Sequence, residues 1–167
     1  MAAEYGGTVE QVHRAFSDEQ YWLVRLDGSG ADHATLDEMT VDADGGLRIK
    51  TTQTLRADRL PAVVTQFHRG DLSFVREELW APVVDGHTSA TVTGSIPGAP
   101  ATLTGDAVLS SVADANGAIA SRMTFKATVE VRVPLVGGKI ENFIGSQLLY
   151  LLTAEQRFTT VWITANS

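Results

Sequence analysis

The chain has 167 residues, no cysteine, 44% apolar residues, and 20 acidic against 13 basic side chains for a net charge of −7. That length fits one domain with a core large enough to stand unstapled, and the missing cysteines exclude disulfides, thiolate metal sites and a cysteine nucleophile. The acidic balance and scattered basic residues oppose binding to nucleic acid or anionic membranes, and no apolar run approaches the roughly 20 residues that span a bilayer, so a soluble, unprocessed, cytoplasmic protein without stable membrane insertion is expected.

Met1 to Tyr5 is the one stretch ahead of the first helical signal that can form a strand, and it stops at a Gly6-Gly7 turn. Thr8 and Gln11 have capping-box spacing, as do Ser17 and Gln20, which predicts short helices over about Val9 to Phe16 and Asp18 to Leu26. From Ala34 to Pro134 the pattern changes to period two, broken by turn signals at Asp44-Gly45-Gly46, Asp85-Gly86, Pro97-Gly98 and Asn116-Gly117. This predicts a meander of about six strands. In the last, Met123, Phe125, Val129 and Val131 alternate with Thr124, Lys126, Thr128 and Glu130; in an earlier one, Leu47, Ile49, Thr51, Gln53 and Leu55 alternate with arginine, lysine and threonine. One face of the sheet is expected to be dry.

Between strands, Leu60, Val63, Val64 and Phe67 sit at helical spacing inside Asp58 to Gly70, which predicts a short helix or a lid-like loop. Past Pro134 and Gly137-Gly138 no proline follows, and Ile140, Phe143, Ile144, Gln147, Leu151, Phe158, Val161 and Trp162 fall on one face at 100° per residue. A long final helix laid over the dry side of the sheet follows from that spacing. Its middle, Leu148 to Leu152, is apolar nearly all round, so Leu149 and Tyr150 need cover from the short helices or from a second subunit of a homodimer. The fold class is α+β in one domain over residues 1–167: a curved antiparallel sheet of about six to seven strands, two short N-terminal helices and one long C-terminal helix.

This order resembles the helix-grip fold of the START-like superfamily, which includes lipid-transfer proteins, polyketide cyclases and aromatases, and plant pollen allergens. More specific are the phrases Thr8-Val9-Glu10-Gln11-Val12, Phe16-Ser17-Asp18 followed by Tyr21-Trp22, Asp58-Arg59-Leu60-Pro61, and Val133-Pro134-Leu135-Val136-Gly137-Gly138-Lys139-Ile140-Glu141. From Thr8 onward they resemble a branch of that superfamily without an assigned activity, domain of unknown function 2505. The resemblance implies a cavity between sheet and helix for a lipid or another apolar small molecule, and a first strand clipped relative to other members.

Catalytic signals are sparse. No Gly-x-Ser-x-Gly occurs, and of His13, His33, His68 and His87 only His68 is expected at a cavity mouth. No histidine and carboxylate spacing suits a metal, and no cofactor is expected. The strand Leu72 to Trp80 carries charge on both faces: one would turn Arg76 and Glu78 into the cavity with Phe74 and Trp80, the other Glu77 with Val75 and Leu79. Gln53 and Gln147 fall on dry faces and each needs a buried partner, a water or a ligand. Met39, Ile49, Phe67, Leu103, Met123, Phe125, Ile144, Leu148 and Leu151 are the expected apolar wall. Three functions fit these residues: a noncatalytic carrier or sensor of an apolar molecule, a cyclase- or aromatase-like enzyme, and a protein interaction module.

Overall fold

The computed structural model of the chain describes residues 1–66 and 68–166. A short strand β1 (Ala2–Tyr5) leads into helices α1 (Val9–Phe16) and α2 (Glu19–Asp27). Strands β2 (His33–Val41) and β3 (Leu47–Leu55) follow, then a 3₁₀ turn (Ala57–Arg59) and a one-turn helix α3 (Ala62–Thr65). Strands β4 (Leu72–Trp80), β5 (His87–Ser95), β6 (Ala101–Ala113) and β7 (Ile119–Val131) complete the meander, and α4 (Gly137–Ala165) closes it.

All seven strands form one antiparallel sheet in the order β1-β7-β6-β5-β4-β3-β2. Each turn signal in the sequence falls at a hairpin. At the tightest, Asp85 and Gly86 both have positive φ, 52° and 68°, and Val84 and His87 exchange backbone hydrogen bonds of 2.9 and 3.1 Å. Those dihedral signs match the twist of the flanking strands, which is why Asp-Gly serves there. On the inner face Phe74 lies across Gly94, where a Cβ would come within 2.7 Å of its ring. This close approach lets an aromatic side chain lie flat along the sheet under the helix.

The capping box of α1 forms as its spacing predicts: the Thr8 amide donates to Gln11 Oε1 at 2.8 Å, and the Gln11 amide donates to Thr8 Oγ1 at 3.1 Å. The second box does not form. Ser17 belongs to the last turn of α1, with its amide on the His13 and Arg14 carbonyls and its hydroxyl donating to His13 O at 2.8 Å. Asp18, in extended conformation, caps α2 instead by accepting the Gln20 amide at 2.9 Å.

Helix α4 has 29 residues and is about 43 Å long, and it lies against β7, β1, α1, α2 and α3. Glu141 fixes its start by accepting the Val131 amide at 3.1 Å, and a Cβ on Gly137 would meet the Val131 carbonyl oxygen at 2.7 Å. Its buried stripe is not straight. The first half turns Ile140, Phe143, Ile144 and Leu151 toward the open end of the sheet, whereas the second half buries Thr159 and Ile163 against α1 and α2. Val161, expected on the gripping face, is exposed, and so is Leu149. Tyr150, expected on the back, lies two turns after Phe143 on the same side as the cavity below. Beneath the second half, Phe16, Tyr21, Trp22, Trp80, Phe158 and Trp162 form a continuous aromatic cluster with ring centroids from 5.2 to 6.1 Å apart. Among the described residues no helix is long and apolar enough to cross a membrane.

Candidate functional site

A cavity of about 400 Å³ lies between the sheet and the first half of α4. Its floor is Phe74 of β4, Leu103 of β6 and Val131 of β7, its roof Ile140, Ile144 and Leu151 of α4, and its side Leu60 and Val64 of the segment joining β3 to β4. Polar groups are few. Gln53, Arg59, His68 and Gln147 reach the lining, and His68 is already engaged: its Nε2 lies 2.9 Å from the Asp71 carbonyl, which can only accept, so Nε2 carries the proton. Arg59 ties the same segment to the loop after α2, donating to Gly30 O at 3.0 Å and pairing with Asp32 at 3.1 Å. Asp32 also accepts the Arg56 amide at 2.8 Å, and that hydrogen bond, with the two arginines, holds its carboxyl below the usual range. The mouth runs past Gln147 and Tyr150, both exposed, the latter at 80%.

Deeper along the helix, Leu103 and Leu148 form part of the wall of a second, smaller pocket of about 40 Å³, whose lining includes Arg25, Arg76, Glu78, Trp80 and Glu155. Glu155 receives two arginines from opposite sides, Arg25 Nη2 on Oε1 and Arg76 Nη2 on Oε2, each at 2.7 Å. The side chains are 7%, 4% and 13% exposed for Arg25, Arg76 and Glu155. Burial alone would raise the Glu155 carboxyl, but Arg25 and Arg76 outweigh it and hold it below the ordinary carboxylate range. A directed relay closes on the same helix turn. Arg25 Nη1 donates to the Tyr21 hydroxyl at 3.1 Å, Tyr21 meets Thr159 Oγ1 at 2.6 Å, and Thr159 donates to the Glu155 carbonyl at 2.7 Å. Because the Thr159 proton is committed there, Tyr21 is the donor to Thr159. Burial pushes the Tyr21 phenol up, which keeps that proton in place. Arg25 also lies over the Trp22 ring, 4.4 Å from its centroid.

Residues 1–163 match the family described as protein of unknown function DUF2505. The chain belongs to that family. Two mycobacterial relatives of this DUF2505 chain, the uncharacterized proteins Rv0481c of Mycobacterium tuberculosis and Mb0491c of Mycobacterium bovis, are each 49% identical to it over 170 residues. The match covers 99% of this chain and 96% of each relative. Two crystal structures share the DUF2505 fold at low identity. A conserved protein from Geobacillus kaustophilus gives a TM-score of 0.60 at 14% identity, over 98% of this chain and 93% of that one. TTHA0849 from Thermus thermophilus gives 0.58 at 11% identity, over 100% and 97%.

In this DUF2505 chain the expected site residues divide by the pocket they reach. Gln53, His68, Phe74, Ile144, Gln147 and Leu151 line the large cavity, and Leu103 and Leu148 line both pockets. Arg76, Glu78, Trp80, Met123 and Phe125 line only the inner one. Met39 and Ile49 reach neither: Ile49 is packed in the aromatic core and Met39 lies against it, because the last part of β2 and the first half of β3 lie at the end of these strands away from the cavity-lining Gln53 and Leu55. Phe67 lies outside the described residues. Gln147 is exposed rather than buried, and neither it nor Gln53 has a side-chain hydrogen bond among the described residues. The open orientation of β4 resolves to its even face, with Arg76 and Glu78 inward.

Sequence reasoning missed Arg25, Tyr21, Glu155 and Thr159. A signal existed, since Leu148, Leu152, Glu155 and Thr159 follow at helical spacing and Tyr21 and Arg25 are one turn apart. Among the described residues no group of three or more histidines, aspartates or glutamates is placed to hold a metal.

Proposed function

We propose that this chain holds an apolar small molecule or lipid in the cavity under α4, acting as a noncatalytic cytoplasmic carrier or sensor, and that its architecture relates it to the START-like helix-grip superfamily. The carrying observation is the cavity itself: about 400 Å³, lined mostly by apolar side chains between a sheet and a helix. That volume falls in the range of roughly 300–1,000 Å³ used for small ligands. Organic extraction of the purified protein followed by mass spectrometry should recover an apolar compound, and the neutral dye N-phenyl-1-naphthylamine should bind with enhanced fluorescence. Ile144→Trp, which fills the roof, should abolish dye binding while leaving the circular dichroism spectrum unchanged; dye binding that survives filling would count against the cavity as the site.

A second reading, a cyclase- or aromatase-like enzyme, draws support from the inward Arg76 and Glu78. It requires that a bound compound be altered. Recovery of the added compound with unchanged mass and unchanged NMR spectrum after prolonged incubation favours the carrier, since an aldol ring closure would keep the mass.

A further inference from the structure

We propose that the inner pocket recognises an uncharged hydroxyl, so that the cavity's preferred occupant is an alcohol or phenol whose hydroxyl end passes Leu103 and Leu148, rather than a free acid or an amine. This rests on the reading of the cavity as an apolar-ligand site. The two pockets share Leu103 from the sheet and Leu148 from the helix, so they lie in series under α4, apolar outside and polar inside.

Three buried polar atoms on residues lining the inner pocket lack a hydrogen-bond partner among the described residues: the donors Arg76 Nε and Trp80 Nε1 and the acceptor Glu78 Oε2. Arg76 Nε and Glu78 Oε2 face one another at 3.7 Å, beyond direct hydrogen-bond reach. Buried groups of this kind call for a partner. A hydroxyl accepts through its oxygen and donates through its proton, so a single one can serve a donor and an acceptor together. A carboxylate has no proton to give Glu78, and an ammonium has no lone pair for Arg76 or Trp80. The charge count points the same way. Arg25 and Arg76 are balanced by Glu78 and Glu155, and Glu155 already takes both arginines, so an ionised head group would add an uncompensated buried charge. The pocket's volume of about 40 Å³ exceeds the ~10–15 Å³ that one water-sized group needs, and because the three atoms are themselves fully buried, the side chains around them must shift slightly for a hydroxyl to reach them.

The test is competition against bound N-phenyl-1-naphthylamine on the whole chain, with 1-dodecanol, dodecanoate and 1-methoxydodecane as matched probes. The alcohol should displace the dye at about tenfold lower concentration than the acid or the ether, the worth of one hydrogen bond to a charged group. Glu78→Gln leaves the cluster one positive charge in excess and should shift preference toward dodecanoate by about tenfold, while Trp80→Phe, which keeps a ring and removes the N–H, should weaken the alcohol several-fold. If the three probes compete equally while the dye still binds, the inner pocket holds only water; the proposal is overturned and the cavity reading stands. No dye binding at all overturns both. Should Glu78→Gln fail to fold, Trp80→Phe decides alone, and an unchanged alcohol affinity there overturns the proposal.

Discussion

Glu155 is the side chain on which the buried charges turn, because two arginines reach it from separate elements, α2 and β4, and among the described residues no other carboxylate lies within ion-pair distance of Arg25. Removing one partner from a buried cluster leaves the others desolvated and unpaired, which typically costs about 3–5 kcal/mol. Glu155→Gln should therefore lower unfolding stability by an amount of that order, measured by urea denaturation. Arg157→Gln, on the exposed side of the same helix turn, should stay within about 0.5 kcal/mol of the parent. Equal effects at both positions would show that the quartet contributes nothing specific. At this scale the sequence was half legible. Arg76 and Glu78 stood out as charges in an apolar strand, yet the partner that fixes Arg76 lies 79 residues away from it and is set by packing, not spacing.

Elements were more legible than residues. Period two marked the strands, and glycine-containing pairs marked every hairpin, because those signals are local. Helix α4 shows where locality ends: one straight stripe was expected, but the structure rotates the buried face as the helix passes from the cavity to the aromatic core. Its first turn supplies a test. A Cβ at Gly137 would sit 2.7 Å from the Val131 carbonyl, whereas at Gly145, inside the same helix, nothing lies within 4 Å. Gly145→Ala should raise stability by about 0.5–1 kcal/mol through helix propensity alone. Gly137→Ala should lower it by about 1–3 kcal/mol, since the strand end and helix start must part. Both are read from the denaturation midpoint, and a stabilising Gly137→Ala would refute the close approach.

For the whole molecule, the three groups whose titration is lowered, Glu155, Asp32 and His13, all favour loss of stability on acidification. Glu155 and Asp32 have folded values below their unfolded ones, so their contributions are present above about pH 4.3 and 3.9 and disappear as pH falls through the lower folded values. His13 is lowered chiefly by burial; the unfolded chain takes up its proton below about pH 6.5 while the folded chain resists, so stability declines from there downward. Urea midpoints measured from pH 7 to 3 should fall gently at first and steeply below about pH 4.5. His13→Gln should flatten the first part and Glu155→Gln the second. A midpoint constant down to pH 3 would contradict the assignment of buried, ionised Glu155.

The sequence by itself determined the class of fold, the order of its elements, the dry face of the sheet and the helix that covers it, because periodicity, capping and turn chemistry act over a few residues. Only the tertiary structure decided where the sheet and helix stand apart. Met39 and Ile49 were as apolar as Leu103 and Ile144, but a residue's place along its strand, not its apolarity, sorts core from cavity wall: Gln53 and Leu55 of the same strand as Ile49 reach the cavity. The same holds for charge. Arg25 and Glu155 read as ordinary members of two amphipathic helices, and they became the buried centre of the molecule only when α2, β4 and α4 met over the sheet.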